Sequence, residues 1–332
     1  MKSRFVAFGA IALSLATSRA IADDSSAALG MGGLEFTKSE DIRMADENLK
    51  ISPRKVEIRF VFTNDSDRDI DTVVAFPLPD IDTEEYTHSA LGTTTKDPVN
   101  FVNFEVRADG KRVIPSVEQR AFLKNRDVTA LVKAAGLPVN AVTNYAPMEH
   151  MKLRVRKHLL AEGLLEPDDP GNNFPLWIAR TKFFWKQHFP AHKSVVLEQS
   201  YQPVTGQSFF SDLDLNPKSD NGGYYLKDYC LGDGARAVLA KMIAASKKAD
   251  PQNSGLLYAY RTEYVLKTGN NWKGPIGHFR LTLDKLKPGS MLSMCWDGEL
   301  KKTGLTTFED ERANFSPKQD IRLVVLDSAR PQ

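Results

Sequence analysis

Only Cys230 and Cys295 occur in 332 residues, which leaves room for one disulfide and for no Cys-His metal cluster. After the N-terminus no stretch approaches eighteen apolar residues, so no helical membrane span is expected beyond it. There is no internal repeat and no low-complexity tract, which argues against solenoids and disordered linkers. Charge is also scarce in net terms: 44 basic residues oppose 42 acidic ones. That balance offers no field to attract nucleic acid or an anionic membrane surface.

What the chain does have is a leader. Lys2 and Arg4 precede an apolar run from Phe5 to Ala16, and Ala20-Ile21-Ala22 precedes Asp23. This is the pattern of a cleaved secretory signal at 1–22, whose apolar core is too short for a permanent anchor. Loss of Lys2, Arg4 and Arg19 with it leaves 41 basic residues against 42 acidic ones, a net charge of −1. No Cys stands at the cleavage point to take a lipid, so a periplasmic or secreted protein is expected, without stable membrane insertion. In an oxidising compartment the two cysteines are expected to be joined, with Cα atoms about 5.5–6 Å apart. Closing that loop stabilises the fold by about 4 kcal/mol in the chain-entropy model.

Hydrophobic periodicity sets the fold class. Val56, Ile58, Phe60 and Phe62 alternate with Glu57, Arg59 and Val61, the signature of a half-buried strand. Thr63 to Asp67 gives a polar turn, and Ile70 to Phe76 returns toward Pro77-Leu78-Pro79, so the pair reads as a hairpin. Val99 to Val106 is expected to be a third strand, followed by a turn at Asp109-Gly110. After Pro115 the period changes. Val128, Leu131, Val132 and Ala135 predict a helix capped by Asp127, and Met148, Met151, Val155 and Leu159 predict a second ending near Gly163. Lys152, Arg154, Arg156 and Lys157 occupy the other faces of the latter, as a solvated surface. Strands resume at Thr181 to His188 and Val195 to Tyr201, read as a second hairpin about Pro190. Asp233 is expected to cap a helix with Ala235, Val238, Leu239, Met242 and Ile243 on one stripe. Leu256 to Leu266, Phe279 to Leu283, Met291 to Trp296 and Ile321 to Leu326 are strand-like.

The expected architecture is mainly β and sandwich-like with an α insertion, either as one body or as two β-rich domains with short helices between. The boundaries read as a leader at 1–22, an N-terminal β-rich region at 23–115, a helical insertion at 116–170, and a C-terminal β-rich region with one helix at 171–332.

Chemistry is thinly marked. The histidines include no His-Glu-x-x-His; His188 and His192 flank Pro190 and read as loop residues. For calcium, Asp212, Asp214, Asn216 and Asp220 begin like an oxygen-ligand loop, but Pro217 and Gly223 stand where an EF-hand needs Gly and Glu. Asp80, Asp82, Glu84 and Glu85 form another acidic turn without a turning Gly. Gly206-Gln207-Ser208-Phe209 lacks the closing glycine of a nucleophile elbow. No catalytic residue and no cofactor is indicated. Phe183, Trp185 and Tyr201 are candidate ligand-facing aromatics of a small-molecule carrier.

A run of segments carries a family resemblance: Ser25 to Leu29, Gly33 to Phe36, Asp41 to Met44, Ile51 to Pro53, Phe62 to Asp65, Ala75 to Pro79, Tyr229-Cys230 and Cys295-Trp296. Together they resemble the exported bacterial proteins of domain-of-unknown-function family 4424. That resemblance spans nearly the whole mature chain and implies no activity. Val56 to Pro79 also resembles the start of vault/inter-α-trypsin domains, β-rich interaction modules. The expected function is non-enzymatic binding of an envelope protein or small ligand, with the helical segment as a contact surface. The alternative is a periplasmic hydrolase acting on a glycan or peptide through carboxylates that spacing does not reveal.

Overall fold

The computed structural model of the protein describes residues 25–30, 33–83, 90–92, 95, 97–141, 145–167, 174–249, 252 and 255–328. The leader at 1–22, Glu84, Glu85 and His88 lie outside the described residues. The described residues form a mainly β fold, with three sheets and a few short helices. No described helix is long and apolar enough to cross a membrane.

Two sheets face each other as a sandwich. An eight-stranded sheet runs in the order Lys301–Lys302, Thr307–Phe315, Ile276–Asp284, Ile42–Ile51, Val56–Asn64, Ser194–Tyr201, Glu105–Ala108 and Lys111–Val113. A seven-stranded sheet carries Arg126–Asp127, Ser116–Leu123, Ile178–Phe189, Ile70–Pro77, Ser25–Gly30 and Gly33–Phe36, with Ile81–Asp82 beside Ile178–Phe189. Alternation drives this packing, because every second side chain of a strand points to one face. Val56, Ile58, Phe60 and Phe62 are buried while Glu57 and Arg59 are exposed. Phe62 meets Phe189 of the opposite sheet edge to face at 6.1 Å, and Phe76 meets Tyr201 at 5.5 Å.

Both expected hairpins are corrected. Val56–Asn64 and Ile70–Pro77 join different sheets, as do Ile178–Phe189 and Ser194–Tyr201. The turns cross the sandwich as arches and lock together. Buried Asn64 donates to the Phe189 carbonyl at 2.9 Å, and the Ala191 amide donates to Asp69 at 2.8 Å. His192 meets Asp67 at 2.7 Å and His188 meets Asp71 at 2.9 Å. A hairpin and an arch have the same alternation; only the packing partner distinguishes them.

The third sheet has five strands, Met291–Met294, Ile321–Asp327, Leu257–Tyr264, Thr205–Phe210 and Ala90–Gly92. One face packs helices Asp220–Tyr229 and Asp233–Ala249 through Leu257, Ala259, Val324 and Leu326. The other face sends Tyr260, Tyr264, Leu323 and Val325 into the sandwich core. In the last helix Leu239 and Ile243 are buried, whereas Val238, placed on the apolar stripe by its spacing, is about half exposed.

Other expectations shift locally. Residues 97–104 form a loop rather than a strand, because Asn100 accepts from the Phe104 amide at 2.7 Å and donates to its carbonyl. Asp127 is not the cap of helix Thr129–Ala134; Val128 is, while Asp127 accepts from the Thr129 amide. The single helix read from Met148 to Leu159 is two, Ala146–Glu149 and Leu153–Ala161. Ser116–Leu123, which opens the segment read as helical, is a strand. Val132, Met148 and Leu159 are fully buried in the main core, so this segment contributes to the fold as well as to the surface.

Candidate functional site

Where the three sheets meet, the wall opens into a cleft of about 610 Å³. The first side is built by the exit from strand Ile70–Pro77. Pro77 and Pro79 stiffen that exit, and the Leu78 amide donates to the Thr181 carbonyl at 2.9 Å. Ile81 and Asp82 then pair with Ala179 and Ile178, which sets Asp80 beside Arg180. The Arg180 Nε–H donates to Asp80 Oδ2 at 3.0 Å. The other oxygen, Asp80 Oδ1, is buried out of reach of solvent with no hydrogen-bond partner. Burial pushes the Asp80 carboxyl up, and the charges of Arg180 and Lys182 only partly offset it, so it sits above the usual carboxylate range.

Tyr201, Pro203 and Val204 form the second side, where the chain passes from the eight-stranded sheet to the five-stranded one. Buried Phe101 and Val102 close that corner, held by the Gln202 amide on the Val102 carbonyl at 2.8 Å.

The third side is the five-stranded sheet with its first helix. Arg261 lies on strand Leu257–Tyr264 opposite Gly206 in register. A Cβ at Gly206 would stand 3.0 Å from Arg261 Nη2, so glycine gives the guanidinium its room. Arg261 Nη1 donates to the Tyr224 hydroxyl at 3.3 Å, and that hydroxyl is 3.0 Å from the hydroxyl of Tyr229. Burial and the neighbouring phenol push Tyr229 well above the usual tyrosine range, so it stays neutral. Arg322 reaches Glu263 at 3.3 Å and Asp228 at 3.9 Å, and Lys267 reaches Asp320 at 3.3 Å. Across the whole wall four cationic side chains stand against four carboxylates.

Of the aromatics singled out in the sequence, Tyr201 lines this cleft. Phe183 and Trp185 lie in the sandwich core, Phe183 stacking on Phe104 at 4.4 Å and Trp185 donating to Gln187. The oxygens of the calcium-like segment are engaged elsewhere. Asp212 pairs with Lys247 at 3.0 Å, Asp214 forms a capping box with Ser211, and Asn216 accepts from the Lys218 amide. Asp220 opens a helix that starts at the Ser219 cap. Among the described residues no group of three His, Cys, Asp or Glu side chains is placed to hold a metal.

Cys230 and Cys295 form a disulfide with Cα atoms 5.0 Å apart, nearer than the commonest spacing and inside the range disulfides span. It ties the end of the Asp220–Tyr229 helix to the strand Met291–Met294, where Ser293 also donates to the Tyr229 carbonyl at 2.8 Å. Such a bond fits an extracytoplasmic location. Arg180, Tyr224, Tyr229 and Arg261 escape sequence reading as cleft residues, and Asp80 is read there only as part of an acidic turn. Only Asp80 carried a signal, its place in an acidic turn after two prolines.

No curated protein matches the chain in sequence. Among solved structures, a candidate nutrient-binding protein from Legionella pneumophila subsp. pneumophila str. Philadelphia 1 is similar at TM-score 0.44 and 13% identity, over 92% of this chain and 70% of that one. Two crystal structures of an M1 zinc metallopeptidase from Deinococcus radiodurans are similar at TM-scores 0.26 and 0.25 and 8% identity. They cover 87% of this chain but 43% of theirs, so the chain spans less than half of that enzyme. At these scores the likenesses carry no functional reading. The sequence profile of a domain of unknown function, DUF4424, matches residues 22–324, and the chain belongs to that family.

Proposed function

We propose that this is an exported, non-enzymatic binding protein whose ligand site is the cleft between the three sheets. One observation carries the reading: a concavity of about 610 Å³ with contributions from all three sheets. That size lies in the range of small-molecule sites, which place a few polar groups among aromatic and apolar walls. The leader at 1–22 and the disulfide support export to the periplasm or beyond.

Native mass spectrometry of protein released gently from the periplasm tests this. A bound small mass is expected in the native chain and absent from Val204→Trp, which fills the cleft, with Val204→Phe as the milder filling variant. Retention of that mass in both filled variants would place the ligand elsewhere.

A second reading, hydrolysis of a glycan or peptide, is favoured by Asp80, whose raised carboxyl in a cleft is the environment of a general acid. Its pairing with Arg180 counts the other way, since a neighbouring guanidinium holds the proton off. Recovery of an intact ligand after prolonged incubation separates binding from turnover.

A further inference from the structure

Net charge describes the whole chain, but at physiological salt a surface charge acts over only about 8 Å, so its local distribution decides what docks there. Over 124–162 seven cationic residues oppose three acidic ones, in a chain whose charges nearly cancel. The imbalance is concentrated on one helix. Lys152, Arg154, Arg156 and Lys157 fall within six consecutive positions at the start of Leu153–Ala161.

Packing fixes which way this helix faces. Leu159 is fully buried in the main core, with Val155 and Leu160 packed against that core. The opposite side therefore points outward, and helical spacing puts Leu153, Lys157 and Ala161 there in line, with Arg154 alongside. All four are exposed, as is Lys152. Two of the three carboxylates of the stretch are already engaged: Asp127 pairs with Arg120, and Glu162 accepts from Arg126 at 3.0 Å. The latter contact also sets the turn that carries exposed Lys124 at the C-terminal end of the helix. Glu149, exposed before the helix, subtracts one charge. The first turn of the helix holds no acidic residue, and Lys152, Arg154 and Lys157 form no ion pair among the described residues.

Leu153 identifies the partner, because it is 65% exposed among these cations. An acidic protein needs a complementary pocket to bury a lone leucine set between charges. A bilayer needs none, since its plane of phosphates lies directly over hydrocarbon and accommodates both kinds of side chain at once. We propose that the outward face of Leu153–Ala161, with Lys152 and Lys124, docks reversibly on an anionic phospholipid surface, its cations on the lipid phosphates and Leu153 at the headgroup–acyl boundary. The contact is peripheral, uses no spanning segment and is independent of the cleft.

The test is co-sedimentation of the full mature chain with vesicles of phosphatidylcholine alone and of phosphatidylcholine with an equal part of phosphatidylglycerol. Binding is expected to the mixed vesicles only, and to fall with added salt. Each Lys or Arg near such a surface is worth about fivefold in affinity, so Lys152→Gln, Arg154→Gln and Lys157→Gln together should weaken binding about a hundredfold. Lys227→Gln, Lys241→Gln and Lys248→Gln remove the same charge from exposed sites elsewhere and should leave it within about twofold. Leu153→Gln should weaken it about fivefold with the salt dependence unchanged. Every substituted side chain is exposed, so melting midpoints should stay at the native value in all of these variants. No binding to the mixed vesicles, equal binding to phosphatidylcholine alone, or equal loss in the two triple variants overturns the proposal. Capture of the chain on immobilised polyglutamate but not on vesicles also overturns it and assigns the face to an acidic protein. Leu153→Gln that binds as tightly as the native chain overturns the seating of Leu153 in the bilayer.

Discussion

Asp80 holds one oxygen against Arg180 and keeps the other buried without a partner, a combination that governs how its charge affects folding. Burial raises its carboxyl above the ordinary value of 3.8 more than Arg180 and Lys182 lower it. A group whose folded pKa exceeds its unfolded one binds protons better in the native state, so its contribution to stability is present at low pH and is lost as pH rises through the folded value. Asp80→Asn removes that term. Relative to the native chain, the variant's melting midpoint is therefore expected to be more favourable at pH 7 than at pH 4. Midpoints of both proteins at the two pH values check this; a constant difference would show that Asp80 ionises like an exposed aspartate, and a reversed one that Arg180 and Lys182 outweigh burial. Asp65 behaves oppositely: burial raises it, but hydrogen bonds from Lys273 and Arg43 outweigh that and hold it below the ordinary range. It is unchanged in both chains and cancels in the comparison.

At the scale of elements, the helix Asp220–Tyr229 shows local preference overridden by packing. Asp220-Asn221-Gly222-Gly223 reads as a turn, since each glycine costs a helix interior about 1 kcal/mol relative to alanine. The helix forms because Ser219 accepts from the Gly222 amide at 3.1 Å and because Tyr225 and Tyr229 pack in the cluster containing Phe210 and Leu257. Gly222 is required for proximity as well, because a Cβ there would overlap the Asn216 carbonyl oxygen. Gly222→Ala is thus expected to destabilise the protein by about 2 kcal/mol or more, despite alanine's higher helix propensity. Urea unfolding with an unchanged slope would measure it. A neutral or stabilising result would mean that the loop at Asn216 relaxes freely. The helix Asp233–Ala249, by contrast, was legible from its stripe, because Leu239 and Ile243 bury at the spacing the period demands, although Asp233 is its first residue and not its cap.

At the scale of the whole molecule, long-range closure dominates. Ile42–Ile51 pairs in parallel with Ile276–Asp284, so the eight-stranded sheet joins chain segments more than two hundred residues apart. The disulfide spans a sequence separation of 65 and is expected to contribute about 4 kcal/mol by restricting the unfolded chain. Replacing both cysteines by serine should lower the unfolding free energy measured by urea titration by that amount, and a loss under about 1 kcal/mol would mean that native strain or residual unfolded structure cancels the effect. The sequence by itself determined which faces of most strands are buried, the mainly β class and the family, because alternation and local motifs are written residue by residue. Only the tertiary structure decided which sheet each strand joins, and with it the cleft. Asp80, Arg180, Tyr201, Tyr224 and Arg261 converge through arches and through pairings between distant strands. A period of two specifies the face a side chain takes but is silent on the neighbour it meets.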